Sequence, residues 1–240
     1  MHSLLQSNRL AIWCRGMTRK LGINKLLARW LDKKGYEEAF HLSLIAAIRP
    51  GDTIWDIGAN VGHYTQLFAE KTGPSGCVVA FEPVPACFSE LRKTCQHIPQ
   101  ARPMNIALGA QDKEVLMTLE KNPLGTTHRL AGKECPTQET TTVSLCTART
   151  IVHDSPQIFP AVVKIDVEGH EEAVLLGFGE LLNDPRLRSI GVEIHFGILQ
   201  RNGDAFAPQR IEKFLLSSGF LAQWTDRSHI VATRETNGTR

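Results

Sequence analysis

The stretch from Ile54 to Thr65, IWDIGANVGHYT, limits the fold of this chain more than any other feature, and it acts together with Phe81-Glu82-Pro83. A short apolar run ends in Asp56, a glycine turn follows through Gly58, Asn60 and Gly62, and the next residues read as helix. Twenty residues beyond Gly62, a second apolar run from Cys77 to Phe81 ends in Glu82. Strand, glycine turn, helix, strand and acid, in that order, is the layout of a nucleotide-binding βαβ unit. The glycines permit a tight turn and close backbone approach to a ligand. The acid at the end of the second strand can accept hydrogen bonds from both hydroxyls of a ribose.

The turn departs from the dinucleotide pattern. In G-x-G-x-x-G the second glycine lets a pyrophosphate touch bare backbone, whereas Gly58-Ala59-Asn60-Val61-Gly62 places Asn60 between its glycines. An Asn side chain is better matched to a charged amino-acid portion, and Asp56 would repel a diphosphate but attract an ammonium, directly or through water. S-adenosylmethionine (SAM) has that ammonium, a ribose and no phosphate, and is the expected cofactor. A dinucleotide, or a glycine turn without a ligand, is the alternative.

DIGANVG and FEP are followed by IDVEGHE (Ile165 to Glu171) and VEIH (Val192 to His195). Together these blocks resemble the FkbM family of SAM-dependent methyltransferases, from about Tyr36 to Thr233. The D-x-G-x-N-x-G turn alone marks SAM methyltransferases broadly, and D-x-E-G-x-E after a buried strand is more specific to this family. The resemblance implies an α/β, Rossmann-like class I methyltransferase fold that methylates a hydroxyl oxygen on a sugar, glycolipid or polyketide-type acceptor. The expected architecture is a seven-stranded, mostly parallel sheet with a C-terminal antiparallel hairpin and a β insertion.

A length of 240 residues fits one large α/β domain plus an appendage, divided here as a basic amphipathic helical segment, 1–35, and a methyltransferase domain, 36–235. Residues 1–34 hold eight Lys and Arg against Asp32 alone, a net +7, which leaves −5 for the rest of a chain whose total is +2. A nucleic-acid enzyme more often has a basic catalytic domain, so no nucleic-acid partner is expected. Trp13, Trp30 and several leucines interleave with the basic residues. That pattern fits peripheral membrane contact or a helix packed on the catalytic domain with its basic face solvated. No apolar run reaches the roughly 18 residues of a membrane span, no secretory signal pattern is present, and the six cysteines have neither C-x-x-C nor zinc spacing. Reduced thiols and a cytoplasmic location, with optional peripheral attachment to a membrane, are the expectation.

Apolar periodicity predicts a helix over Glu37–Ile48 and strands over Thr53–Asp56, Cys77–Phe81, Met104–Leu108, Ala161–Asp166 and Ser189–Ile194. Further helices are predicted over His170–Leu182 and Gln209–Ser218, and a hairpin from Phe220–Trp224 and His229–Thr233. Residues 113–147 interrupt the alternation as a β-hairpin-like insertion, from Glu114–Leu119 and Thr140–Leu145, with a polar loop between them. Long irregular loops are often functional, and this one is read either as substrate-facing or as decoration.

Ligands of open α/β sheets sit beyond the carboxyl ends of the strands, which collects Asp56, Glu82, Asp166 and Glu193 along one edge. The resemblance implies that the amino-acid end of SAM lies on the Asp56–Gly62 turn, with the ribose on Glu82. The adenine then lies near Asn105–Ala107, contacted by the Asn105 side chain or the Ile106 backbone. The cofactor residues are therefore Asp56, Gly58, Asn60, Gly62, Glu82, Asn105, Ile106 and Asp166.

A hydroxyl acceptor needs its proton removed, and the candidates are His195, Glu168 and Asp166. His195 leads because an unperturbed histidine titrates near neutrality, although a capping role fits it too. Glu168 follows, in a turn that Gly169 lets bend; its alternative, and the better reading of Glu171, is to cap the next helix. Lys164 is placed to neutralise nearby carboxylates. Asp166, Glu193 and His195 have the chemistry for Mg²⁺ or Mn²⁺, but the Asp-Asn pair of metal-dependent O-methyltransferases is absent and no metal is assigned. The expected acceptor is a small molecule or lipid-linked glycan. An N-methyltransferase is the nearest alternative, weakened because Asp166-Val167-Glu168-Gly169 replaces an Asn/Asp-Pro-Pro-aromatic clamp. A non-catalytic SAM-binding protein is the other.

Overall fold

A computed structural model describes residues 38–118, 129–130 and 140–234. The basic segment 1–35, with its expected helices and membrane contact, lies outside these residues, as does most of the loop of the insertion. No helix of the described residues is long and apolar enough to cross a membrane.

The strands of the main sheet are β1 (Thr53–Ile57), β2 (Cys77–Phe81), β3 (Ala101–Met104), β8 (Val162–Ile165), β9 (Ser189–Glu193), β10 (Leu221–Trp224) and β11 (His229–Thr233). All but the edge strands β3 and β10 are short runs buried on both faces, as in sheets covered by helices on either side. Their spatial order is β10-β11-β9-β8-β1-β2-β3. β11 runs antiparallel to both β9 and β10, and the other pairings are parallel. This is the expected class I methyltransferase sheet with its C-terminal hairpin.

One face packs Trp55, Phe81, Phe178, Leu182 and Ile211. A separate cluster joins Phe40 and Leu44 of α1 (Glu38–Ala47) to Phe68 of α2 (His63–Thr72) and Val231. Gly191 in β9 admits α1 closely: a Cβ there would lie 2.8 Å from Leu44 and Phe40.

Local differences from the sequence reading have physical causes. The third strand ends at Met104, because the chain turns at Asn105 and β4 (Ala107–Leu108) pairs with β7 (Thr140–Cys146) instead. The insertion is a separate sheet of order β4-β7-β5-β6, with β5 at Lys113–Thr118 and β6 at Arg129–Leu130. Its β5–β7 pair is the expected hairpin, and Met117 and Val143 seat it on Val84 and Cys87 beside α3 (Pro85–Cys95). The short helix α4 (Ala148–Asp154) was not predicted. It starts at Thr147, whose hydroxyl accepts from the Thr150 N–H, a recognisable N-cap. Helix α5 (Glu171–Phe178) stops earlier than expected: Gly179 adopts φ +51 and the chain tightens into a 3₁₀ turn, Gly179–Asn183. Helix α6 (Phe196–Arg201) is a further addition, and α7 spans Ala207–Ser217.

After β1 the chain moves one way to β2 and β3, and later the other way to β8 and β9. The crevice beyond the carboxyl ends of β1 and β8 is therefore the place where this fold admits ligands.

Candidate active site

The β1–α2 turn is set by three left-handed residues, Gly58 (φ +81), Asn60 (φ +50) and Gly62 (φ +93). Gly58 and Ala59 both donate to the Phe81 carbonyl at 3.0 Å, which ties the turn to the end of β2. Asn60 N–H donates to Glu82 Oε2 at 2.9 Å, and Val84 N–H donates to Oε1 at 2.8 Å. Burial pushes the Glu82 carboxyl up to about 7, offset only in part by those two N–H groups.

The two glycines of the motif serve different contacts. A Cβ on Gly58 would lie 1.8 Å from the Asp166 carbonyl oxygen, so the turn rests directly on the backbone leaving β8. A Cβ on Gly62 would meet Leu91 at 2.8 Å, so its bareness admits α3. The Asn105 side-chain N–H₂ donates to the Glu82 and Pro83 carbonyls at 2.8 and 3.0 Å, bracing the loop that carries Glu82. Ile106 packs half-buried against the main core.

Asp56 is fully buried beneath this turn. Its Oδ2 accepts from the Thr65 hydroxyl at 2.7 Å, and its Oδ1 has no hydrogen-bond partner. Burial raises the Asp56 pKa against the opposing pull of Lys164 and Thr65. Lys164, also buried, lies 3.7 Å from Asp56 Oδ1 and 3.1 Å from Asp166 Oδ2, as its expected neutralising role requires. Burial alone would lower its pKa, but Asp166 and Asp56 outweigh that and raise it.

A second cluster is assembled by the turn after β8. Glu168 (φ +51) and Gly169 (φ +92) are both left-handed, and a Cβ on Gly169 would lie 2.7 Å from Ile198. Gly169 N–H donates to Glu171 Oε1 at 2.8 Å. The same oxygen lies 2.7 Å from His195 Nδ1, and the Glu171 side chain has no solvent exposure. Glu171 thus holds the turn before its helix, where the sequence reading gave it a helix-capping role, and also orients the histidine. His195 Nε2 faces Glu168 Oε1 at 3.4 Å, Asp166 Oδ1 at 3.6 Å and Glu193 Oε1 at 3.9 Å. Burial pulls the His195 pKa down, but Glu168 and Glu171 outweigh it and raise the pKa to about 10. The surrounding carboxylates favour the protonated ring over the neutral one.

Glu193 has a second partner in His229, whose Nε2 lies 3.5 Å away and whose Nδ1 lies 2.8 Å from Asp226 Oδ2. This His229–Asp226 pair and Thr65 were not found from the sequence. Nothing in the sequence spacing pairs His229 with Asp226 or with Glu193. The structure brings Asp166, Glu168 and His195 together, and separately Gly58, Asn60 and Glu82, with Lys164 between Asp56 and Asp166.

Comparison with known proteins identifies a family. The family described as "Methyltransferase FkbM domain" matches residues 56–222. Hexuronic acid methyltransferase AglP of Haloferax volcanii is 28% identical over 170 residues, 70% of this chain and 65% of that protein; the chain therefore spans just under two thirds of that relative's length. The 31-O-demethyl-FK506 methyltransferase FkbM of Streptomyces tacrolimicus is 27% identical over 201 residues, 72% of this chain and 76% of that protein. The crystal structure of methyltransferase FkbM from Methylobacillus flagellatus shares the fold, with a TM-score of 0.50 at 12% identity, over 78% of this chain and 48% of that one. With this match over most of its length, and with the class I sheet order around the Asp56–Gly62 turn, the chain belongs to the FkbM family of SAM-dependent methyltransferases.

Proposed function

We propose that the chain is a SAM-dependent O-methyltransferase acting on a hydroxyl of a glycan or other small-molecule acceptor. The observation that carries this reading is the convergence of Glu168 and Asp166 on His195, at 3.4 and 3.6 Å, on the backbone segment that Gly58 touches. The names of the two relatives, which act on a hexuronic acid and on 31-O-demethyl-FK506, support an oxygen acceptor. The residues of the turn fit SAM: Glu82 offers a carboxylate to ribose hydroxyls, the bare Gly58 turn admits a close ligand, and Asp56 Oδ1 is a buried oxygen without a donor.

SAM, when bound, supplies an electrophilic methyl group. The protein must align the acceptor oxygen and accept its proton. An imidazolium has no free lone pair, so the proton acceptor is Glu168, with Asp166 beside it. His195, held by Glu171, supplies positive charge next to the oxygen as it loses its proton. This keeps all three residues in the site but exchanges the roles that the sequence assigned to His195 and Glu168.

Glu168→Gln is expected to lower methyl transfer to hexuronate-bearing glycans by about 10²–10³-fold, while calorimetric affinity for S-adenosylhomocysteine (SAH) stays at the wild-type value. A variant as active as wild type would remove Glu168 from the chemistry. A second prediction follows from the raised Glu82 pKa. Ribose hydroxyls donate to the ionised carboxylate, so SAH affinity should be constant above about pH 8 and fall about tenfold per unit below about pH 6. Titrations across that range should lose this dependence in Glu82→Gln, which binds weakly at every pH. A flat wild-type profile would detach Glu82 from the cofactor.

A further inference from the structure

We propose that Asp166, Glu168 and His195 form a binding site for one divalent cation of the Mg²⁺ and Mn²⁺ class, on the acceptor side of the crevice. The inference deepens the O-methyltransferase reading and rests on it for the role of the cation, though not for its binding.

Geometry is the first support. One oxygen from each carboxylate and a ring nitrogen of His195 lie within 4.8 Å of one another. His195 Nδ1 donates to Glu171 Oε1 at 2.7 Å, which leaves Nε2 to face the cluster; the cation would displace the Nε2 proton, bind the neutral imidazole and replace the ring's positive charge between Glu168 and Asp166. A carboxylate on the second nitrogen of a ligating histidine is the recurrent outer-shell arrangement of metal sites. From Nε2, Glu168 and Asp166 stand at 3.4 and 3.6 Å. A charge-assisted hydrogen bond would be shorter, about 2.8 Å. Neighbouring ligands around a cation with bonds of about 2.1–2.3 Å stand about 3.0–3.7 Å apart.

Unpaired buried oxygens are the second. Glu171, whose side chain is wholly enclosed, has one oxygen on His195 and Gly169 and the other, Oε2, without a partner; Glu168 Oε2 is likewise buried and unpaired. Buried carboxylate oxygens without donors are costly. Charge is the third. Lys164 serves Asp56 and Asp166, and His229 serves Glu193. Among the described residues, Glu168 and Glu171 have ion pairs with His195 alone.

Two carboxylates and one imidazole, with no thiolate, match Mn²⁺ or Mg²⁺ better than softer ions. Glu193, with its own partner in His229 and farthest from Nε2 at 3.9 Å, gives up to Glu168 the place that the sequence offered it. Three protein ligands leave positions for water and for the acceptor oxygen, which the cation would orient.

The test is titration of the EDTA-stripped full chain with Mn²⁺, with free Mn²⁺ read by electron paramagnetic resonance and SAH affinity measured in parallel. One saturable equivalent is expected. Glu168→Gln and His195→Gln should each weaken it at least about tenfold while keeping the wild-type melting temperature and SAH affinity. Wild-type protein that binds SAH but no Mn²⁺ overturns the site, and saturable binding unchanged in both folded variants overturns its assignment to these residues. A variant that melts early is replaced by Glu168→Ala or His195→Ala and judged the same way. Mn²⁺ binding without SAH binding leaves the site standing and instead overturns the cofactor reading.

Discussion

Gly58→Ala is expected to cost about 4 kcal/mol or more of folding stability, at the far end of single-substitution effects. Two penalties act at once. At φ +81 a side chain is strained by about 1–3 kcal/mol. The new Cβ would also stand 1.8 Å from the Asp166 carbonyl oxygen and 2.9 Å from its carbon. The obstacle is backbone, with no rotamer to relieve it. Relief requires moving the turn away from the exit of β8, which pulls on the Asp166 N–H bond to the Ile57 carbonyl at 3.0 Å. Gly73→Ala is the control: φ is +71 and nothing lies within 4 Å of the added carbon, so only the torsional cost of about 1–3 kcal/mol applies. Urea unfolding of both variants measures the difference. Equal losses would mean that the turn and the β8 exit separate easily. SAH binding by Gly58→Ala should be lost along with the fold of the turn.

Lys164→Met is expected to destabilise by about 3–5 kcal/mol near neutral pH, the usual cost of removing one partner from a buried ion pair. The change keeps most of the apolar stem and removes the ammonium between Asp56, fully enclosed, and Asp166, about one quarter exposed. The sign of the pH dependence follows from the shifts. The folded Lys164 pKa is raised, so its contribution is complete below its unfolded value and constant across the neutral range. Asp56 is also raised in the fold, and without Lys164 it rises further; a carboxyl of this kind favours the folded state as pH falls. The deficit of Lys164→Met should therefore shrink as pH falls from neutrality toward the ordinary carboxylate range. Unfolding titrations at several pH values would show it. A deficit independent of pH would mean that the loss is one of packing, including the ammonium contact with the Tyr64 ring at 4.7 Å.

The βαβ frame was legible because its determinants are local. Apolar runs mark β1 and β2, glycines mark a turn that needs positive φ, and Glu82 follows the second strand directly. The C-terminal hairpin and the insertion were legible for the same reason, through alternation and turn residues. The errors fell where local signals were weak or in competition. Met104–Leu108 reads as one apolar strand, but the Asn105 amide is spent on the Glu82 and Pro83 carbonyls, and the chain divides there between two sheets. The helix after β8 reads as continuous until Gly179 takes a positive φ.

The members of the Asp166, Glu168 and His195 cluster were legible in the sequence, but their mutual geometry was not. Asp166, Glu168 and His195 were named from motif blocks, yet the motifs carry no potential. Glu171 and His195 are 24 residues apart in sequence and 2.7 Å apart in space. Asn105, expected near adenine, uses its side-chain nitrogen to brace a loop, and Gly62 is bare for the sake of α3.

The sequence by itself therefore determined the sheet-edge turn, the acid that follows the second strand and the family of the chain, since each depends on neighbouring residues and their backbone torsions. Only the tertiary structure decided that His195 sits among Asp166, Glu168 and Glu171, that Lys164 is shared between two carboxylates and that Gly58 rests on the exit of β8. Burial and charge act through space, and each of these depends on the sum of groups that the fold collects from distant parts of the chain.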